Sequence, residues 1–156
     1  MSITVGSKAP AFSLPDQNGD KHSLASYKGK YVLLYFYPKD MTPGCTIEAR
    51  VMSKNIKEFA KYNAVVLGVS VDSCASHKKF EGKEKLTFTL LSDEDKVVVD
   101  KYDVWREKSM FGKKYMGAVR ESFLIDPTGG IIKHYTNVNP VTHTKEVLGD
   151  LKGFQK

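Results

Sequence analysis

The stretch Tyr31-Val32-Leu33-Leu34-Tyr35-Phe36-Tyr37-Pro38-Lys39-Asp40-Met41-Thr42-Pro43-Gly44-Cys45-Thr46 decides how this chain is read. Residues 31–37 are apolar on both faces, as in a strand covered on both sides of a sheet, and Pro38 ends the run. From Thr46 to about Tyr62 the apolar residues Ile47, Val51, Met52, Ile56, Phe59 and Ala60 recur at helical spacing, with Glu48, Lys54, Lys57 and Lys61 on the other side. This predicts one long amphipathic helix. Ala64 to Val71 reads as a second buried strand, and Asp72-Ser73 offers N-cap chemistry for a helix from Cys74 to about Glu84. Thr87 to Leu91 reads as a third strand and Lys96 to Tyr102 as a short helix. Glu121–Ile125 and Ile131–Tyr135 flank Asp126-Pro127-Thr128-Gly129-Gly130, which predicts an antiparallel hairpin, and Thr142 to about Gly153 closes the chain as a helix. Near the start, Ala11–Leu14 and Lys21–Leu24 enclose a turn-rich segment and predict a small hairpin. The pattern leaves Trp105 to Gly117 unassigned.

This order, two parallel β-α-β connections followed by a hairpin and a last helix, predicts an α/β, thioredoxin-like fold. Its central mixed β-sheet is flanked by helices and carries an N-terminal β-hairpin extension, in a single domain over residues 1–156. That length suits one domain whose core needs no staples. Two cysteines, Cys45 and Cys74, exclude a disulfide-dense scaffold, and His22, His77, His134 and His143 have no metal-like spacing, so neither metal nor cofactor is expected. Lys plus Arg number 24 against 18 Asp plus Glu, a net charge of +6, but the basic residues are interleaved with acids along the whole chain. Without zinc-finger spacing, a basic leucine zipper or an RNP-like motif, that charge reads as solubility rather than nucleic-acid binding. The longest apolar run, Tyr31 to Tyr37, is too short to cross a bilayer, and Met1–Gly6 lacks the basic and apolar regions of a signal peptide. A cytoplasmic protein with no membrane partner is expected.

In open α/β sheets, sites form at the carboxyl ends of strands, which is where residues 38–45 fall. A cysteine in the first turn of a helix feels unpaired backbone N–H groups and the positive end of the dipole, and both favour thiolate over thiol. Cys45 is so placed. Pro43 and Gly44 allow a tight turn, and Thr42, three residues earlier, brings a hydroxyl toward the sulfur. These features suit holding a small peroxide against a thiolate. Position alone fits equally well a small buried residue at a helix start.

Pro38, Thr42 and Cys45 also match the Pro-x-x-x-Thr-x-x-Cys signature of peroxiredoxins, and the string from Tyr35 to Thr46 resembles the peroxiredoxin Q, or bacterioferritin comigratory protein, subgroup. The likeness continues in order through Val69–Ser73, Ser76–Phe80, Leu90–Asp93, Val104-Trp105, Arg120 with Phe123–Asp126, and His143, so it covers nearly the whole chain. It implies a thioredoxin fold and an antioxidant peroxidase that reduces hydrogen peroxide or alkyl hydroperoxides. Carried onto these positions, Cys45 is the peroxidatic cysteine that becomes a sulfenic acid, Thr42 hydrogen-bonds the peroxide, and Pro38 shields the sulfenate from water. Arg120 stabilises the thiolate with a donor that stays protonated. Glu48, on a neighbouring helical face, resembles a subgroup glutamate that braces Arg120, although a bare carboxylate beside a thiolate opposes ionisation. Without the resemblance, Arg120 reads as a surface arginine before a strand.

The chain departs from the subgroup at both usual positions of a resolving cysteine: Arg50 stands five residues after Cys45, and Glu81 stands after Phe80. The remaining thiol, Cys74, heads the following helix on the same side of the sheet. Two mechanisms stay open. In one, the Cys45 sulfenate is reduced by an external thiol such as thioredoxin, glutaredoxin or glutathione. In the other, Cys45 and Cys74 form a disulfide, which needs Cα atoms within about 7 Å and local unwinding of two helix starts. A disulfide oxidoreductase is disfavoured because Cys45 has no Cys-x-x-Cys partner, and a cysteine hydrolase because nothing places a His and Asn around it. From another class comes a thioredoxin-fold peroxide sensor or binding protein without multiple turnover. A monomer or weak dimer is expected.

Overall fold

In the computed structural model, which describes residues 3–155, Ser13–Pro15 (β1) and Lys21–Ser23 (β2) pair as the expected N-terminal hairpin, followed by a short 3-10 helix, Leu24–Tyr27. Met1, Ser2 and Lys156, at the ends of the expected 1–156 domain and of the N-terminal stretch, lie outside the described residues. Tyr31–Phe36 (β3) is the middle strand of a five-stranded sheet. It pairs in parallel with Ala64–Ser70 (β4), which pairs in parallel with Thr89–Ser92 (β5). On its other side it pairs antiparallel with a later strand, Glu121–Ile125, so the sheet is mixed.

The helix expected from Thr46 to Tyr62 is corrected in two respects. It begins earlier, as Pro43–Lys54 (α1), and it breaks at Asn55 before resuming as Ile56–Lys61 (α2). The Asn55 side-chain amide donates to the Val51 carbonyl at 2.8 Å, and its backbone N–H turns to Met52, so the residue satisfies groups that a continuous helix would have used. Apolar spacing carries on through the break because α1 and α2 bury Met52 and Phe59 in one cluster. Cys74–Glu84 (α3) has the expected bounds, with the Ser73 hydroxyl accepting the Ser76 N–H at 3.1 Å. Val97–Lys101 (α4) follows β5.

The unassigned segment is a two-stranded ribbon, Trp105–Met110 (β6) against Lys113–Ala118 (β7). Its turn, Phe111-Gly112, takes positive φ at both residues, 52° and 77°, as a tight hairpin of primed type requires. Most of its side chains are exposed, so no alternation of apolar residues betrays it. Glu121–Ile125 (β8) and Ile131–Tyr135 (β9) form the expected hairpin, and His143–Phe154 (α5) is the last helix.

The pleat of β3 divides the core. Leu33, Tyr35 and Tyr37 face Cys45, Met52, Phe59, Phe80, Val147 and Leu151 of the long helices, while Val32, Leu34 and Phe36 face Val69, Val98, Val99, Tyr102 and Phe123. The sheet is therefore covered on both sides, and its parallel carboxyl edge opens onto the Pro38–Thr42 segment. Among the described residues, no helix is long and apolar enough to cross a membrane.

Candidate active site

Past β3 the chain runs over the carboxyl edge of the sheet and turns into α1. Pro43 takes the first helical position, where its missing N–H costs nothing, and Cys45 follows in the first turn with 2% of its surface exposed. The residue before β8 reaches back to it. Arg120 Nη2 donates to Cys45 Sγ at 3.4 Å while Nη1 donates to Glu48 Oε1 at 2.7 Å. Gly44 makes that approach possible, because a Cβ there would lie 2.9 Å from Arg120 Nη2 and 3.7 Å from Pro140 Cγ. The glycine thus serves space for the guanidinium, a reason different from the tight turn expected of it.

Thr42 occupies the N-cap position without capping, since its hydroxyl donates to the Lys39 carbonyl at 2.8 Å. With its proton so engaged, that oxygen keeps lone pairs for an incoming donor. Pro38 is half-buried at the head of the same segment. Cys74 is half-buried at the start of α3, beyond the end of β4, and both cysteines are free thiols. The structure therefore joins Cys45, Arg120 and Glu48 in direct contact, sets Thr42 and Pro38 on the approach to α1, and leaves Cys74 on a separate helix.

Glu48 is completely buried, and while Oε1 accepts from Arg120, Oε2 has no partner among the described residues. Burial raises its carboxyl to about 7, against the pull of the Arg120 charge and hydrogen bond. At Arg120 burial works against the charge, but Cys45 and then Glu48 outweigh it and hold the guanidinium above its ordinary range. A second cation was not anticipated. Lys108 on β6 donates to the Ala118 carbonyl at 3.0 Å, and its ammonium is lowered by burial and then by Arg120, with Cys45 opposing. Lys108 thus stands within the field of the same sulfur. Only the ribbon's topology brings it there.

His77 on α3 is fully buried and bonded to Asp40 Oδ2 at 2.6 Å and to the Leu91 carbonyl at 2.9 Å. Asp40, Asp72 and His77 bring potential ligand atoms within 4.8 Å of one another. Those atoms already hold protein hydrogens: Asp72 Oδ2 accepts the Asp40 N–H and the Ser70 hydroxyl. The group is a hydrogen-bonded cluster.

Residues 5–134 match the AhpC/TSA family model. Over 156 residues, all of this chain and 99% of the relative, it is 47% identical to peroxiredoxin Bcp of Bacillus subtilis. The chain belongs to the AhpC/TSA family, among peroxiredoxins of the Bcp type. A crystal structure of a cysteine-to-serine mutant of Xylella fastidiosa PrxQ superposes with a TM-score of 0.94 at 34% identity, covering 100% of this chain and 99% of that one. Bacterioferritin comigratory protein from Xanthomonas campestris, whose structure was determined to study its alkyl peroxide reduction, gives a TM-score of 0.88 at 37% identity over 93% and 92% of the two chains. The thioredoxin-like peroxiredoxin fold expected from the element order is thereby established for this chain. As a peroxiredoxin it is a thiol-dependent peroxidase, which disfavours the purely sensing or binding alternative.

Proposed function

We propose that Cys45 is the peroxidatic cysteine of this peroxiredoxin and that an external thiol completes the cycle. The contact that carries the proposal is Arg120 Nη2 on Cys45 Sγ at 3.4 Å. A guanidinium held there stabilises a thiolate and then the negative charge that builds on the cleaving peroxide. The thiolate attacks one peroxide oxygen; the S–O bond forms as the O–O bond breaks. The departing oxygen takes the electron pair, gains a proton and leaves as water or an alcohol, so sulfur is oxidised to sulfenic acid and peroxide reduced. Thr42 accepts the hydrogen bond of the peroxide O–H, Pro38 shields the sulfenate, and Glu48 fixes the plane of the guanidinium.

The reductant then attacks the sulfenic sulfur, forming an S–S bond and releasing water, and a second thiol returns Cys45 to its starting state. Thioredoxin, glutaredoxin or a small thiol meets that requirement. The alternative, resolution through Cys74, requires pulling out two helix starts, and that of α3 is held by the Ser73 cap and by buried His77. We read the enzyme as a single-domain cytoplasmic protein, monomeric or weakly dimeric.

The test is the intact mass of fully reduced protein after one equivalent of hydrogen peroxide, with a sulfenic-acid trap present and peptides mapped afterwards. Trapped sulfenate on Cys45 with Cys74 still free is expected, and Cys74→Ser should sustain turnover with thioredoxin. Loss of two hydrogens with Cys45 linked to Cys74 would move resolution inside the chain. An unchanged mass would remove Cys45 as the reacting thiol.

A further inference from the structure

The segment Tyr37–Thr42 delivers the chain into the active-site helix. Met41 in it adopts φ 62°, a left-handed conformation that a side chain with a Cβ occupies at a cost of about 1–2 kcal/mol. Such strain persists only where the surroundings over-determine it. The residue next to it supplies the constraint. Asp40 is 3% exposed, and its carboxylate accepts three donors: the Tyr37 hydroxyl at 2.6 Å on Oδ1, and the Ser76 hydroxyl at 2.8 Å and His77 Nδ1 at 2.6 Å on Oδ2. Its backbone N–H is held by Asp72 Oδ2 at 2.8 Å.

Counting protons decides what His77 is. A carbonyl only accepts, so Nε2 must donate to Leu91 O. A 2.6 Å contact between Nδ1 and a carboxylate oxygen must also contain a proton, and the Tyr37 and Ser76 hydroxyls both favour the carboxylate as the acceptor. These contacts favour a ring that donates from both nitrogens, a cation against the Asp40 anion.

We propose that Asp40 and His77 form a buried ion pair that latches the Pro38–Thr42 segment onto α3, and that both are positioning residues for peroxide at Cys45. Neither touches the sulfur. They fix the backbone from which Thr42 and the first turn of α1 project, so their loss leaves the thiol present but the peroxide-holding geometry relaxed. The inference rests on the reading of Cys45 as the reacting thiol.

The test compares two reactions of Cys45 in a Cys74→Ser background: oxidation by hydrogen peroxide and alkylation by iodoacetamide, which needs a thiolate but no held peroxide. Asp40→Asn keeps the shape of the side chain and removes the charge; His77→Gln does the corresponding thing on the other side. Each should lower the peroxide rate constant roughly ten- to a hundredfold while alkylation stays equal or rises, as expected when only alignment is lost. Equal falls in both reactions, or a lower melting temperature with the ratio unchanged, would reduce the pair to a fold-stabilising role and overturn the proposal. Should His77→Gln fail to fold, nitrogen NMR of the parent protein still decides. Protons on both His77 ring nitrogens at neutral pH are expected, and a single proton would refute the ion pair. If the parent itself shows no peroxide reaction at Cys45, the underlying assignment fails instead, which these readouts distinguish.

Discussion

Arg120 and Glu121 are neighbours in sequence, and each belongs to an arginine–glutamate pair, but the pairs lie on opposite faces of the sheet and differ in how completely they are satisfied. Glu121 sits opposite Phe36 and accepts Arg106 on both oxygens, at 2.8 and 3.3 Å, with His134 Nε2 at 2.8 Å on one of them. His134 in turn stacks on Phe123 at 4.3 Å between ring centroids. Every strong valence there is used. On the other face Glu48 uses one oxygen and leaves Oε2 without a partner among the described residues, and Arg120 spends its second amino group on a sulfur. A closed network of this kind is scaffold, because nothing in it is left to respond to a ligand. An open one, held by burial, has a donor ready for charge that has yet to develop.

The sharpest way to break this comparison is to truncate each arginine. Arg120→Met should slow peroxide oxidation of Cys45 by about 10²–10³-fold, the usual consequence of removing a donor aimed at developing negative charge. Arg120→Lys should recover little of it, since a single ammonium cannot serve Glu48 and the sulfur with the same planar fork. Rapid-mixing kinetics under pseudo-first-order peroxide measure both. A loss of less than about tenfold in Arg120→Met would place the main electrostatic support elsewhere, with Lys108 the first suspect.

Glu48 gives the next largest effect, and it is read in stability against pH. Its carboxyl is raised from 4.5 to about 7 in the folded protein. Below pH 4.5 folded and unfolded chains both hold the proton; between there and about 7 only the folded chain does, so stability is lost as pH rises through this window. The full loss is on the order of 3 kcal/mol, or roughly 6–12 °C of melting temperature for a chain of this size. Glu48→Gln keeps an acceptor for Arg120 and has no proton to lose. Its melting temperature should match the parent near pH 5 and exceed it near pH 8, as calorimetry at the two pH values would show. Parallel curves would mean that Arg120 holds Glu48 ionised throughout.

What the sequence made legible follows the same division between local and long-range causes. The strand at residues 31–37, the cap at Ser73 and the placement of Cys45 in a first helical turn are local, and apolar period or turn chemistry reveals them. The break at Asn55 was hidden because the apolar spacing runs straight through it. The β6–β7 ribbon was hidden because it buries too little to leave a period, and Lys108 went with it. Arg120 became visible only through family resemblance, its contact with Glu48 spanning 72 residues of sequence. Gly44 shows the limit most plainly. Its reason is a guanidinium that arrives from residue 120, and nothing near residue 44 announces it.

The smallest effect belongs to the closed pair. Arg106→Met should leave the peroxide rate within about threefold of the parent, because Glu121 faces away from the sulfur and no donor near the site is lost. Stability should fall by about 1–2 kcal/mol, the lower part of the cost of leaving a buried carboxylate short of donors. Water moderates the cost, since the Arg106 side chain is 41% exposed and solvent can enter where it was, and His134 remains on Oε1. The corresponding fall in melting temperature is roughly 2–8 °C. Calorimetry and stopped-flow on one preparation test both halves together. A variant that kept its melting temperature but lost peroxide rate would mean that strain at Glu121 passes along the backbone to Arg120, one residue away, and that the two faces of the sheet are coupled through β8.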